Sequence, residues 1–192
     1  MESIFLVIRF VIFLIFFSSG IEKIKEIKKH EGAVADFKIL PSKFVPLFSR
    51  IDPILEIIIS VCIFFSFFLK FNIFSCLILL VIYTIAIVIN LLRGRYEISC
   101  GCGGVVGTHS LSWWLVGRNT LIMFSLILLL TGENILFSFD ALLRGIHPNL
   151  VLFNPLGWMV LLLTSLILVF SKIALNIGKV QKRMKYIRER RL

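Results

Sequence analysis

The 192-residue chain has no nucleophile triad, no phosphate-cradling loop and no evident pair of carboxylates. Triad hydrolysis, nucleotide chemistry and two-carboxylate acid–base catalysis therefore find no residues to use. Histidine and cysteine are scarce, at three and four residues. No second Cys pair or His pair lies near Cys100 and Cys102, whereas a closed zinc site normally takes four ligands with wider spacing. Acid is short as well, with 11 Asp and Glu against 21 Lys and Arg. No internal repeat and no low-complexity linker divides the chain, which points to one compact bundle. The N-terminus lacks a basic region, and Phe16-Phe17-Ser18-Ser19-Gly20 is a poor cleavage site. The first apolar run therefore reads as a retained helix.

What the chain has in excess is apolar surface. Hydrophobic residues make up 58% of the chain, and mean hydropathy is +0.98. Soluble domains average roughly 45–50% apolar residues. The excess falls in runs near the length that spans ~30 Å of hydrocarbon at ~1.5 Å per residue. The formal charge of +10 comes from basic residues flanking those runs, where they meet anionic headgroups. The bilayer is thus the expected partner, and nucleic acid is not.

Five spans are expected. The first runs from Ile4 to Ser19 and contains Arg9, which is read as snorkelling because it lies near the start. Gly20 is read as a bend into an amphipathic helix, Ile21 to His30, with Ile21, Ile24 and Ile27 on one face. The segment Ala33 to Pro53, interrupted by Pro41, Pro46 and Pro53, looks too broken to span. A second span, Ile54 to Leu69, opens on Asp52-Pro53. Lys70, Phe71 and Asn72 form the turn into a third, Ile73 to Leu92, closed by Arg93-Gly94-Arg95. The fourth begins near Leu111 or Arg118 and ends near Leu130, and the fifth covers Pro155 to Ile173. A basic tail follows from Lys179.

With five spans, 18 Lys and Arg lie on the face shared by the cysteine loop and the tail, against 2 on the other, with Arg9 unassigned. The positive-inside rule puts that face in the cytoplasm.

Cys100-Gly101-Cys102-Gly103-Gly104 is a polar island between apolar runs. A Cys100–Cys102 disulfide needs Cα atoms about 4.4–6.8 Å apart, and Gly101 allows the required bend. Such a strained, exposed bond is labile, which suits thiol–disulfide exchange. Two alternatives stay open: Cys100, Cys102 and His109 as metal ligands, and an inert, reduced loop. Cys62 and Cys76 lie in apolar spans at different depths and read as core. Near the cysteine face, Arg118 would lower a thiol's pKa, and Glu56, in the first turn of the second span, would handle protons. A Glu56–Arg118 ion pair tying two helices is the competing reading. Trp113 and Trp114 read as interfacial anchors.

In order and spacing, several pieces resemble the methylamine utilisation protein MauE family, grouped with DoxX-like membrane proteins. They are Ser19-Gly20-Ile21-Glu22-Lys23-Ile24, Phe37-Lys38-Ile39-Leu40-Pro41, Ile54-Leu55-Glu56, Arg93-Gly94-Arg95, Cys100-Gly101-Cys102, Ser112-Trp113-Trp114 and Arg118-Asn119. The likeness covers about Ile4 to Leu130. Where the family often has an aromatic after the second cysteine, this chain has Gly103. The resemblance implies a redox helper in the maturation of an exported protein, in the family the cysteine-rich small subunit of methylamine dehydrogenase. It also implies a thioredoxin-like, MauD-like partner. Disulfide chemistry outside the cytoplasm conflicts with the charge count, unless the number of spans differs or the pair relays electrons from cytoplasmic thiols.

The expected architecture is all-α: a polytopic membrane bundle of four core helices plus a fifth C-terminal one, with an interfacial amphipathic helix. Residues 1–131 form the four-helix domain, and 132–192 the connection, fifth helix and tail. The expected function is thiol–disulfide exchange in the inner (cytoplasmic) membrane. Cys100 and Cys102 exchange, aided by Glu56 and Arg118. No cofactor is required, and a membrane quinone is conceivable but has no motif. A non-catalytic assembly factor and, more remotely, a small-molecule or metal transporter are the alternatives.

Overall fold

The computed structural model describes residues 2–100, 110–132, 135–170 and 173. The chain folds as helices: α1 (Glu2–Lys25), α2 (Ile27–Asp36), α3 (Val45–Phe64), α4 (Leu69–Leu92), α5 (Trp113–Thr131), α6 (Phe139–Leu143) and α7 (Pro148–Val151). A further helix, α8, covers residues 155–170. No strand occurs among the described residues. The four stretches Ser3–Lys25, Leu69–Leu92, Trp113–Thr131 and Pro148–Phe170 are long and apolar enough to cross a membrane. The chain is a multi-pass helical membrane protein. α3, at 20 residues, has comparable length but carries Arg50, Asp52 and Glu56. Arg50 is exposed, while groups on neighbouring helices satisfy Asp52 and Glu56.

The main core lies where α1, α3, α4 and α5 meet. It joins Ile12 and Phe16, Ile59 and Ile63, Ile73, Cys76 and Leu80, and Ile122, Leu126 and Leu129. The outer faces are apolar too: Phe71 and Phe74 on α4, Leu121 and Phe124 on α5, and Ile167 and Phe170 on α8 are all exposed. In water such a surface would drive association, whereas hydrocarbon accepts it. Cys62 and Cys76 carry free thiols, Cys76 within the core, as expected of apolar packing. Trp113 and Trp114 are exposed at the start of α5.

Four boundaries differ from the sequence reading. α1 runs straight through Gly20 to Lys25. Gly20 is not a bend but a point of close approach: a Cβ there would lie 2.7 Å from Ile57 Cγ1 and 2.9 Å from the Pro53 carbonyl oxygen. Its lack of a side chain lets α1 and α3 touch. The amphipathic stretch breaks at Glu26, and α2 buries His30 and Ala33.

α3 begins at Val45 rather than at residue 54. Pro46 sits in its first turn, where the missing N–H costs nothing, and Pro53 lies inside the helix. Asp52 and Glu56 therefore share one helix, one turn apart. The following turn is at residues 65–68 rather than 70–72. Ser66 and Phe68 adopt positive φ there, unusual for residues with side chains. Distant groups hold it: Phe68 and Leu69 N–H both donate to the Asp140 carboxylate at 3.0 Å, and Phe139 N–H donates to the Phe65 carbonyl at 2.8 Å.

Arg9 does not snorkel. It is buried, with 1% of its surface exposed, and donates to Ser66 Oγ and to the Leu136 carbonyl. Leu6 packs beside it on Leu136 and Phe137, joining the C-terminal region to the first helix. At the other end, Gly94 (φ +72°) closes α4 in the left-handed conformation that glycine tolerates.

Candidate functional site

The site is built around Lys23, near the C-terminal end of α1. Gly20, one turn earlier, brings α1 against α3 at Pro53 and Ile57, and Lys23 reaches the Asp52 and Glu56 carboxylates. Its Nζ lies 2.8 Å from Asp52 Oδ2 and 2.8 Å from Glu56 Oε1. Tyr83, from α4, donates toward the same pair: its hydroxyl is 2.9 Å from Glu56 Oε1 and also hydrogen-bonded to Asp52 Oδ1. The Lys23 ammonium stands 4.9 Å from the Tyr83 ring centroid, within cation–π range. His30 of α2 places Nε2 3.2 Å from Asp52 Oδ2. Lys23, His30, Asp52 and Glu56 are all buried.

The proton inventory of this cluster is informative. Tyr83 has one hydroxyl hydrogen and touches two carboxylates, so both contacts are satisfied only when one carboxyl carries a proton. With that proton, the remaining carboxylate balances Lys23, so Lys23, Asp52 and Glu56 together carry no net charge, as low-dielectric surroundings favour. Glu56 Oε2 and both ring nitrogens of His30 make no hydrogen bond among the described residues, though Nε2 stands 3.2 Å from Asp52 Oδ2. The cluster thus holds two titratable groups with spare capacity.

Beside it lies a cavity of about 270 Å³. Lys23, His30, Asp52 and Tyr83 form its polar side, and Phe37, Phe48, Ile82, Ile85, Ala86 and Cys100 are among its other lining residues. Cys100 is buried against Ile87, Leu91, Leu111 and Leu115. The base of its loop is closed by an antiparallel bridge between Ser99 and Ser110 and a Leu111 N–H to Ile98 carbonyl bond of 3.0 Å. The end of α1, α2 and the exit of α4 therefore meet at one end of the bundle.

Of the residues singled out from sequence, Cys100 lines the cavity and Glu56 stands behind it, coupled through Lys23 and Tyr83. Glu56 lies in mid-helix rather than in a first turn, and its ion pair is with Lys23, not Arg118. Arg118 bonds its neighbour, with Nη2 3.1 Å from Asn119 Oδ1, while Asn119 donates to Thr84 Oγ1 at 3.2 Å. Cys102, His109 and the basic tail lie outside the described residues. Among the described residues no group of three or more His, Cys, Asp or Glu could hold a metal ion.

Lys23, His30, Asp52 and Tyr83 were missed from sequence, and one signal was available for part of the set. Asp52 and Glu56 are spaced i, i+4 and form a carboxylate pair wherever that stretch is helical. Reading Pro53 as the helix start put Asp52 outside and hid the pair.

A multi-pass membrane bundle with a buried, titratable cluster facing a cysteine-lined cavity is the class that fold and site define. The chain belongs to the methylamine utilisation protein MauE family, whose sequence model matches residues 1–132. It is 26% identical to the methylamine utilization protein MauE of Paracoccus denitrificans over 125 residues, covering 65% of this chain and 67% of the relative. It is 33% identical to that of Methylorubrum extorquens over 112 residues, covering 58% and 60%. For Paracoccus versutus the identity is 24% over 108 residues, 56% and 58%. Two of these relatives are thus spanned over less than two thirds of their length. No solved structure matches the chain.

Proposed function

We propose that this MauE-family protein is a membrane-embedded thiol–disulfide exchange factor that supports the maturation of an exported protein. Methylamine utilisation, named for its relatives, is the proposed setting, and the cytoplasmic membrane the proposed site. The observation that carries the reading is that Cys100 shares one cavity with Lys23, His30, Asp52 and Tyr83. The thiolate is the reactive form of a thiol, and a carboxylate or imidazole nearby takes the proton released as it forms.

In the proposed cycle, a Cys100–Cys102 disulfide accepts two electrons from a dithiol on a thioredoxin-fold partner. One S–S bond breaks here and one forms there, and two protons pass to the cysteines. Lys23 holds the two carboxylates in place, and Glu56 serves as a proton reserve behind Asp52.

Packing of Cys100 against Ile87, Leu91, Leu111 and Leu115 favours a second reading, an assembly factor without redox turnover. A Cys100→Ser, Cys102→Ser double variant separates them. The redox reading expects the client's disulfides to fail to form, whereas undiminished maturation leaves only the assembly role. Labelling intact cells with a membrane-impermeant thiol reagent, before and after reduction, reports which side the pair faces.

A further inference from the structure

We propose that the cavity beside Lys23 binds the headgroup of a bilayer-dissolved quinone, the oxidant that restores the disulfide; this inference rests on the thiol–disulfide reading above. The location of the rim is the first reason. Ile39, Leu40, Ile82 and Ile85 line the cavity and are exposed. Ile82 and Ile85 belong to α4, a stretch long and apolar enough to cross the membrane. The apolar side therefore faces lipid, and a hydrophobic ligand enters without crossing water. Size is the second reason. At about 270 Å³ the space lies just below the roughly 300–1,000 Å³ of drug-sized pockets. It takes one small ring and leaves an attached isoprenoid chain among the lipids.

Polarity is the third. His30 lines the cavity, is 7% exposed, and its Nδ1 has no partner among the described residues. Such a buried nitrogen is costly unless a ligand supplies the missing bond; with Nε2–H turned to Asp52 Oδ2, 3.2 Å away, Nδ1 is the acceptor, and the hydroxyl of the quinol form donates to it. Charge narrows the choice further. Two carboxylates face one lysine, so an anionic phospholipid headgroup meets no net positive charge, whereas a neutral carbonyl head incurs no repulsion. Redox stoichiometry also agrees. Oxidising the Cys100–Cys102 dithiol breaks two S–H bonds, forms one S–S bond and releases two electrons and two protons. A quinone takes up both pairs as it becomes a quinol with two new O–H bonds.

The test uses the full chain in nanodiscs and a short-chain photoreactive quinone, with crosslinked peptides mapped by mass spectrometry. Labelling should fall on the peptides of α2, α3 and α4 that carry the lining residues and be displaced by unmodified quinone. Ala86→Phe, which fills the cavity, should weaken binding about tenfold or more. Val81→Phe, on the lipid face of α4 but outside the cavity, should leave it unchanged. Both variants are checked for an unaltered melting temperature, and His30→Phe gives a second, independent block. Equal labelling of wild type and Ala86→Phe, or a cavity-bound phospholipid that quinone does not displace, overturns the proposal. Binding is read without thiol turnover, so the outcomes separate cleanly. Specific binding to a chain whose cysteines never oxidise supports the quinone site but defeats the exchange reading and, with it, the quinone's part as oxidant. Quinone-driven Cys100 oxidation that persists in Ala86→Phe defeats the site alone.

Discussion

Helix α1 buries two cations, and the protein treats them in opposite ways. Among the described residues, Arg9 meets neutral oxygens, the Ser66 hydroxyl and the Leu136 carbonyl. Lys23, roughly 21 Å further along at ~1.5 Å per residue, meets two carboxylates, a tyrosine and, through Asp52, a histidine. In the first arrangement, the described partners of Arg9 exchange no protons readily and belong to a turn and to loop backbone. It is a staple between α1, the 65–68 turn and the C-terminal region. The second is rich in titratable groups and opens on a cavity. A buried charge in this protein thus does two jobs, and its partners tell which.

That contrast is broken most sharply at Lys23. Lys23→Met leaves Asp52 and Glu56 facing each other without a cation, and should cost about 3–5 kcal/mol, read as a large fall in the detergent-solubilised melting temperature. Adding Asp52→Asn and Glu56→Gln to the same chain should recover most of the loss while abolishing thiol exchange. Arg9→Met is expected to cost about 1–3 kcal/mol, because only neutral acceptors are left behind, and the rate of thiol exchange should hold. If exchange falls in step with stability, the two cations are not functionally distinct.

Gly20→Ala tests the packing that sets the Lys23 side. Its methyl would press on the Pro53 carbonyl, and overpacking of this kind costs about 1–3 kcal/mol. Because the strain separates α1 from α3, exchange should slow as well, which distinguishes it from Arg9→Met. Tyr83→Phe should cost about 1.5–3 kcal/mol, the range for a hydrogen bond to a charged group. Its sharper signature is infrared: the protonated carboxyl C=O band of the wild type should shift in Tyr83→Phe and be altered or lost in Glu56→Gln.

The membrane bundle was legible because hydropathy is a summed property that single residues do not upset. α4 and α5 fell close to their expected bounds for that reason, and Gly94 marked its helix end correctly. Boundaries set by tertiary contact were not legible. The 65–68 turn is Phe-Ser-Phe-Phe, indistinguishable by composition from a span, and its anchor Asp140 lies 72 residues from Phe68. Gly20 and Pro53 carry strong local signals for a bend and a helix start, yet packing between α1 and α3 overrides both. The site followed the same rule. Cys100 and Glu56 stood out as polar residues beside apolar runs, whereas Lys23 sits in a lysine-rich stretch where its burial leaves no mark. Tyr83 looks like any aromatic in a span.

The most direct measurement is the redox state of Cys100 in native membranes, trapped by acid and alkylation and read by mass spectrometry. The account predicts a Cys100–Cys102 disulfide in a substantial fraction of molecules, lost on reduction and regained on removal of the reductant. That recovery should slow markedly when Asp52 and Glu56 are replaced by their amides. A Cys100 that is alkylated completely under every condition, oxidising ones included, would contradict it.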